Sequence, residues 1–363
     1  MAVNVGIVGS GYIAVQDYYP AFQRDDIKEK LRVTAICDVV PGRAEEHCRR
    51  FGFGKPYMDF DKMLEEAPID VVAILSPIPF HFEFAKKALL AGKHTYVQKT
   101  MTTTAAQAIE LNKLAKKMGC ILCASPGQMI EPSHVQAKKL LEKGAIGKIC
   151  FARGQGGHAG HENQELFGID PSWYYKKGGG PMMDVAVYPI TSITGFMGPA
   201  KRVAAFSGIA NAERFWNGKK LNVEMDDNTV LLLDFGNGAF ASVQGNYCTR
   251  KVKTPQIELY GTKGTMLLGG WCDMSRPLEI YTEEPLLGFQ AGWYKTEEPL
   301  DSKPEPFTIW TVADLLHVVE CVQNGNKPLI SGEHSAHVIE IIEKAYQSAE
   351  TGKAIKLETT FEL

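Results

Sequence analysis

Short apolar runs alternate with amphipathic stretches along the first 120 residues of the chain. Four of these runs have the length, the β-branched content and the flanking turns that are typical of buried parallel strands. They are Val3–Val8, Val33–Cys37, Val71–Leu75 and His94–Val97. Helical spacing of apolar residues fills the intervals at 43–51, 81–91 and 105–118. This alternation predicts a doubly wound parallel sheet, which is an α/β fold.

The second half of the chain has a different pattern, in which strands follow one another through glycine or asparagine turns. Consecutive strands without intervening helices predict an antiparallel sheet. The predicted strands are 229–235, 237–243 and 255–260, and two helices at 310–324 and 335–351 close the chain. We therefore expect an α/β domain over 1–124 and an α+β domain over 125–363. An open sheet needs cover on both faces, and a homo-oligomer is one way to provide it.

Composition agrees with two soluble globular domains. A chain of 363 residues is longer than one domain with a single hydrophobic core usually is. Its residues are 45% hydrophobic and 22% charged, as is typical of globular proteins. The net charge of −3 predicts no nucleic-acid partner, and no apolar run approaches the roughly 18 residues of a membrane span. The eight scattered cysteines and the lack of a signal-peptide pattern indicate a reducing, cytoplasmic location.

A glycine turn after the first strand carries the clearest chemistry. Gly9 permits a tight turn, Gly11 permits close approach of a pyrophosphate, and Ala14 permits close helix packing. Asp38 ends the second strand at the position of a carboxylate that binds the ribose 2′-hydroxyl. The carboxylate would repel a 2′-phosphate, so NAD is favoured over NADP. Arg43 favours NADP instead if it turns toward a phosphate, and Asp38 can also be an ordinary turn residue.

A second candidate is the helix start after Gly178–Gly180. Asp184 and Tyr188 interrupt an otherwise apolar stretch there, and residues four apart share one helical face. A carboxylate beside a phenol suggests a proton-transfer pair. The alternative is a solvent-facing aspartate and an amphipathic core tyrosine. Nearby, His158 and His161 have a possible metal spacing, but no third histidine or cysteine lies close in sequence, so no metal is expected.

Together these motifs resemble the Gfo/Idh/MocA oxidoreductase family. The resemblance includes Ser76-Pro-Ile-Pro-Phe-His81, Lys99 after the fourth strand, Gly178-Gly-Gly with Asp184 and Tyr188, and Glu258-Leu-Tyr-Gly-Thr-Lys-Gly264. It implies an N-terminal Rossmann domain and a C-terminal α+β domain with a large open, mostly antiparallel sheet. It also implies a nicotinamide cofactor, sugar or polyol substrates, and association through that sheet.

The resemblance assigns roles residue by residue. The implied catalytic residues are Lys99, Asp184 and Tyr188. The implied cofactor-binding residues are Gly9, Gly11, Tyr12, Ile13, Asp38, Arg43, Ser76, Pro77, His81, Gln98 and Lys99. Tyr188 stands where many members have histidine and one branch has tyrosine. A nearby ammonium lowers the pKa of a phenol from its usual value of about 10, and either Lys99 or Tyr188 can be the immediate base.

Two segments depart from the family pattern. Gln98-Lys99-Thr100 replaces the usual Glu-Lys-Pro, and Ser125-Pro-Gly-Gln-Met129 lacks the common Asn-x-Arg. Because a non-proline cis peptide costs about 3 kcal/mol, the change to Thr100 predicts a trans loop and a displaced Lys99. The changes indicate an unusual substrate or a modified reaction.

The segment 154–177 predicts a substrate rim, because it mixes aromatic and polar residues among glycines. The implied substrate-binding residues are Lys99, Gln128, His158, Trp173, Tyr174, Asp184 and Tyr188. Aromatic rings stack on sugar faces and suit an aryl aglycone; the alternative is a loop packed by its own aromatics. Three functions stay open: an NAD-dependent dehydrogenase for sugar or glycoside hydroxyls, with C3 as one candidate position; a redox-neutral enzyme with retained NAD; and a non-catalytic dinucleotide sensor.

Overall fold

The computed structural model describes residues 2–163, 170–270, 276–285, 290–296 and 308–363. The chain forms two compact units. The first comprises Met1–Ile130 with Ser302–Ala336, and the second comprises Glu131–Asp301 with His337–Leu363.

The first unit contains a six-stranded parallel sheet in the order β3-β2-β1-β4-β5-β6. Its strands are β1 (Val3–Val8), β2 (Leu31–Cys37), β3 (Lys55–Tyr57), β4 (Val71–Ile74), β5 (His94–Val97) and β6 (Leu122–Ala124). Its helices include α1 (Tyr19–Phe22), α2 (Asp25–Lys28), α3 (Arg43–Phe51), α4 (Phe60–Glu66), α5 (His81–Leu90) and α6 (Ala105–Met118). Since β1 and β4 are buried almost throughout, their apolar runs carry no alternation. The predicted doubly wound sheet is confirmed.

The second unit contains a nine-stranded sheet in the order β16-β15-β14-β13-β7-β12-β11-β8-β17. Its strands are β7 (Ile149–Gly157), β8 (Arg202–Gly208), β11 (Asn228–Gly236), β12 (Ala239–Asn246), β13 (Ile257–Gly261), β14 (Gly264–Leu268), β15 (Glu279–Thr282), β16 (Gly292–Lys295) and β17 (Ile355–Lys356). A separate hairpin pairs β9 (Phe215–Trp216) with β10 (Lys219–Lys220). Only β7 and β12 pair in parallel among the described strands of the nine-stranded sheet, so the predicted, mostly antiparallel sheet is confirmed.

Helices pack against the sheet in each unit and contribute to its apolar core. The remaining helices are α7 (Pro132–Glu142), α8 (Val187–Met197), α9 (Thr308–Asn324) and α10 (Gly332–Thr351). In the second unit, Ile190 and Ile193 of α8 and Ile341 of α10 share one apolar cluster with inward side chains of the sheet. This packing buries alternate residues of β11, as the burial of Leu231 and Leu233 shows.

The segment Ser302–Ala336 belongs to the first unit. The predicted domain boundary after residue 124 places this segment in the second domain instead. The physical reason lies in α9. Its residues Val312, Leu315, Val318 and Val319 are fully buried in the cluster that also contains strands β1 and β4. The apolar stripe of α9 therefore completes the parallel-sheet core.

None of the helices within the described residues is long and apolar enough to cross a membrane.

Candidate active site

The turn after β1 has the geometry of a phosphate-binding loop. Gly9 has a φ of +92°, and a Cβ there would lie 2.6 Å from the backbone nitrogen of Ser76. A Cβ on Gly11 would meet no atom within 4 Å. The turn thus packs against the end of β4 at Gly9 and is open at Gly11, where the sequence predicts the pyrophosphate.

Asp38 follows β2 and is buried. One of its oxygens accepts a hydrogen bond from Ser10 N at 2.8 Å, and the other accepts one from Val40 N at 2.9 Å. Arg43 Nη1 lies 3.4 Å from both carboxylate oxygens. Asp38 therefore ties the glycine turn to the end of β2, and Arg43 is paired with it. These contacts fit a carboxylate held beside the adenosine ribose, as the NAD prediction requires.

His81 links two loops at the carboxyl ends of the parallel strands. Its Nε2 lies 2.7 Å from Ser76 O, and its Nδ1 lies 2.8 Å from Thr100 O. Burial lowers the pKa of His81 despite these two carbonyl neighbours. His81 thus holds the Ser76-Pro77 loop and the Lys99 loop together, which supports the predicted cofactor region from inside the fold.

The Lys99 loop differs from the prediction. The Lys99–Thr100 peptide bond is cis, so the expectation of a trans loop is wrong. Hydrogen bonds hold both sides of this bond: Gln98 Oε1 accepts from Lys99 N at 2.6 Å, and His81 binds Thr100 O. Gln98 and His81 therefore contact the loop on either side of the position where the family pattern has proline. Lys99 itself is half-buried.

Two further predicted cofactor residues, Tyr12 and Ile13, directly follow the glycine turn after β1. Ile13 packs against the apolar core of the first unit, and burial raises the pKa of Tyr12. Gln128, a predicted substrate contact, is buried in a short 3₁₀ turn, Gln128–Ile130, of this unit.

In the second unit, Asp184 is the centre of a buried polar cluster. It lies in a π-helical turn, Met182–Ala186, directly before α8. Asp184 Oδ2 lies 2.6 Å from His161 Nε2, accepts a hydrogen bond from Tyr247 OH at 3.0 Å and lies 3.6 Å from His158 Nε2. Its burial excludes the solvent-facing alternative.

Glycine in β7 permits the approach of this π-helical turn. A Cβ on Gly156 would lie 2.2 Å from Val185 O, so only glycine lets the sheet come this close. The π-helical geometry also changes the assumed α-helical spacing of Asp184 and Tyr188. Tyr188 is the second residue of α8 and belongs to the apolar core cluster of the unit. Pairing of the two side chains stays a prediction.

Aromatic rings surround the Asp184 cluster. Tyr174 stacks on His161 with ring centroids 3.4 Å apart, and His158 stacks on Tyr247 at 4.8 Å. Trp173 lies against Tyr174 at 3.8 Å and is 41% exposed. The structure therefore brings the predicted residues His158, Trp173 and Tyr174 together near Asp184.

A buried ion network fixes the backbone beside His161. Arg214 is fully buried and binds Glu162 at 2.6 Å and Asp227 at 2.7 Å. Burial opposes the charge on Arg214, but the hydrogen bonds from these carboxylates outweigh it and raise the pKa of the guanidinium. Tyr175 OH bonds to Glu162 and accepts from His161 N. No sequence pattern indicates this network, because its members are distant along the chain.

The ligand atoms of His158, His161 and Asp184 lie within 4.8 Å of one another, a spacing that could hold a metal ion. However, Gly160 N donates to His158 Nδ1 at 3.0 Å. In neutral His158 the proton must then sit on Nε2, so this nitrogen has no lone pair for a metal. Asp184 therefore forms hydrogen bonds with His161 and Tyr247, and His158 Nε2 lies 3.6 Å from the carboxylate without a hydrogen-bond partner among the described residues, an arrangement that fits a metal centre poorly.

Comparisons with known proteins agree with this geometry. Residues 3–125 match the oxidoreductase family with an NAD-binding Rossmann fold, and residues 134–267 match the GFO/IDH/MocA C-terminal domain.

Two curated relatives are enzymes of carbohydrate chemistry. A dTDP-3,4-didehydro-2,6-dideoxy-alpha-D-glucose 3-reductase of Actinomadura kijaniata is 32% identical over 54% of this chain and 56% of the relative. The levoglucosan dehydrogenase of Pseudarthrobacter phenanthrenivorans is 28% identical over 73% of each chain. A solved levoglucosan dehydrogenase, in complex with NADH and levoglucosan, superposes with a TM-score of 0.85 at 21% identity. That match covers 98% of this chain and 100% of the solved one, and it shows the same fold.

Proposed function

Because this chain belongs to the Gfo/Idh/MocA family of NAD-dependent carbohydrate oxidoreductases, we propose that it moves a hydride between nicotinamide and a secondary hydroxyl of a sugar or glycoside. One candidate position is C3, which gives a 3-keto glycoside. The observation that carries the proposal is the buried Asp184 cluster with its stacked aromatic border.

Oxidation of an alcohol needs a group that removes the hydroxyl proton as the hydride leaves. The bound nicotinamide supplies the hydride acceptor. From the family resemblance, Lys99 and Tyr188 share the transfer of the proton, and Asp184 orients the reacting group. His161 and Tyr247 hold Asp184 through one oxygen, which fixes the direction of its carboxyl group.

The substrate class follows from the aromatic border. Trp173 is partly exposed and lies against Tyr174, so a flat apolar ring surface is available beside polar groups. Such surfaces bind the apolar faces of sugars and aryl groups, while hydroxyls bond to histidine and carboxylate. An aryl glycoside is therefore the preferred substrate.

The test is turnover with NAD and a panel of aryl glycosides, alkyl glycosides, monosaccharides and inositols. We expect one NADH per keto-glycoside formed, with the highest kcat/KM for an aryl glycoside. Turnover of inositols without any glycoside would overturn the substrate class. The same panel with NADP checks cofactor choice.

A redox-neutral reaction is the second candidate, and the His161–Asp184 contact favours it. This pair supplies an acid–base group in addition to Lys99 and Tyr188. Oxidation at C3 of a sugar acidifies the C2 hydrogen, which then permits epimerisation or elimination. In this case substrate would exchange its C2 hydrogen with solvent deuterium while no NADH accumulates.

The outer face of the large sheet supports the proposal of a homo-oligomer. Phe206 of β8 and Val230 of β11 are cross-strand partners, and both are exposed. Leu232 and Phe240 are exposed on neighbouring positions, and Phe206 is 82% exposed. An apolar surface of this kind is typical of an interface, here with a second copy of the chain. A cytoplasmic location of the enzyme is part of the same proposal.

A further inference from the structure

Two departures from the family pattern lie at opposite ends of one buried hydrogen-bond chain in the first unit. At one end, Gln98 Nε2 donates to Tyr18 OH at 3.1 Å. Tyr18 OH lies 2.6 Å from Tyr96 OH, which lies 2.7 Å from Ser125 Oγ. At the other end, Ser125 donates to Asp314 Oδ2. Gln98 and Ser125 both belong to segments where the sequence differs from its family.

When Asp314 is ionised, the fixed donor and acceptor at the two ends of this chain set the direction of every hydrogen between them. Lys99 N is a fixed donor to Gln98 Oε1, so the amide nitrogen of Gln98 faces Tyr18 and donates. The hydroxyl of Ser125 is committed to Asp314, so Ser125 accepts from Tyr96. Tyr96 then accepts from Tyr18. All donors therefore point from Gln98 toward Asp314. At each contact one group donates and the other accepts, so no two donors face each other.

Asp314 is closely enclosed at its end of the chain. It comes from α9, 187 residues after Gly127, whose N–H donates to Asp314 Oδ2 at 3.1 Å. A Cβ on Gly127 would lie 1.8 Å from Asp314 Oδ1, so the carboxyl occupies the space that any other residue would fill. Ser125 and Gly127 thus bind the carboxyl group of Asp314. The Ser125-Pro126-Gly127 segment therefore anchors α9 to the first unit.

We propose that Asp314 is a positioning residue for Lys99, and that the chain between them requires glutamine rather than glutamate at position 98. Gln98 contacts the backbone of Lys99 directly, so the orientation of its amide sets the Lys99 loop. The functional part of this inference rests on the proposed role of Lys99. Coupling between positions 98 and 314 depends on the hydrogen bonds alone.

Glutamate at position 98 would break the chain as long as Asp314 is ionised. Its carboxylate has no N–H for Tyr18, so Tyr18 would turn its hydroxyl toward that carboxylate and Tyr96 would lose its donor. It would also add a second carboxyl group to a chain that already ends in one. Burial raises the pKa of Asp314 to about 7, which shows how poorly this region accommodates negative charge.

The experiment is a double-mutant cycle of Gln98→Glu, Asp314→Asn and the double variant. Asparagine at position 314 can donate to Ser125, which lets the hydroxyl groups of the chain reverse direction and end on the carboxylate at position 98. We expect each single variant to lower kcat about tenfold or more. Asp314→Asn, which changes no predicted cofactor contact, should change the KM for NAD by less than about twofold. The double variant should recover to within about fivefold of the wild-type kcat, limited by the Gly127 N–H that loses its acceptor.

Hydrogen–deuterium exchange of the peptide that contains Lys99 is measured on the same four proteins. Each single variant should exchange this peptide faster, and the double variant should restore protection. Asn112→Ala is the matched control, because Asn112 binds Gly332 O at 2.8 Å and also ties the returning segment to the first unit. It should lower stability without changing kcat or the exchange of the Lys99 peptide. Tyr96→Phe interrupts the chain without a charge and serves if Asp314→Asn does not fold.

Additive effects of the two substitutions, or unchanged exchange at Lys99 in both single variants, would overturn the inference. A wild-type protein that oxidises no carbohydrate would instead overturn the proposed function, while the exchange experiment would still decide whether the two positions are coupled.

Discussion

At the scale of single residues, Asp184 is the side chain on which the proposed chemistry depends. His161 and Tyr247 both bind its Oδ2, so an amide at this position would leave them one acceptor oxygen but would remove the negative charge and the second oxygen of the carboxylate. We expect Asp184→Asn to lower kcat by about 10²- to 10⁴-fold, the usual contribution of a positioned acid–base group. Binding of NADH, followed by its fluorescence, should stay within about threefold of wild type, because the cofactor turn lies in a separate unit.

The matched controls are His161→Gln and His161→Ala. Glutamine can place a donor near the position of Nε2, whereas alanine removes it, so His161→Gln should retain more activity than His161→Ala. Equal activity of these two variants would show that the contact to Asp184 has no part in the reaction.

Asp184, His158 and Tyr174 were each predictable from the sequence, but the bond between His161 and Asp184 was not. Residues 23 positions apart have no fixed geometric relation in a sequence, and Tyr247 is 63 positions from Asp184. The π-helical turn was not predicted either, because its sequence has the apolar character of an ordinary helix start. Long-range pairing of polar groups is thus the part of the site that residue patterns do not specify.

At the scale of elements, the two glycines of the turn between β1 and the following helix have different roles. We expect Gly9 to be needed for folding and Gly11 to be needed for cofactor binding. Gly9→Ala should destabilise the protein, because Gly9 has a positive φ and its Cβ would enter the backbone at Ser76. Gly11→Ala should leave the melting temperature of the free protein within about 1 °C, since its Cβ meets no atom. It should nevertheless weaken NAD binding at least about tenfold, because the methyl group occupies the phosphate position.

Thermal melts with and without NAD check both variants. Retained NAD-induced stabilisation in Gly11→Ala would contradict the assignment of this turn to the pyrophosphate.

Strands and most helices were predictable because their periodicity differs clearly, with continuous apolar runs in β1 and alternation in β11. The destination of α9 was not predictable. Its apolar stripe would suit either unit, and only its packing with β1 and β4 assigns it to the first. The prediction for the Lys99 loop was wrong for a related reason. It rested on the local preference of a non-proline peptide bond for trans, whereas Gln98 and His81 make long- and short-range contacts on either side of the observed bond.

At the scale of the whole molecule, the exposed apolar face of the nine-stranded sheet predicts self-association. Phe206, Val230 and Leu232 form a cross-strand patch with no covering layer in the described part of the chain. Burial of apolar area contributes about 25 cal/mol per Å², so several large side chains on a flat sheet can support a stable interface. Sedimentation of the wild-type protein should therefore give a dimer or a larger assembly at micromolar concentration.

A charge on this face should dissociate the assembly. We expect Phe206→Glu to shift the protein to monomer, because two copies would bring like charges into an apolar contact. Leu90→Glu is the matched control, since Leu90 is an exposed apolar residue at the end of α5 in the first unit, and this variant should sediment as wild type. The far-ultraviolet circular dichroism of both variants should match wild type, which separates dissociation from unfolding. A monomeric wild-type protein, or a Phe206→Glu variant that remains assembled, would show that this face is not the interface and that another surface covers or replaces it.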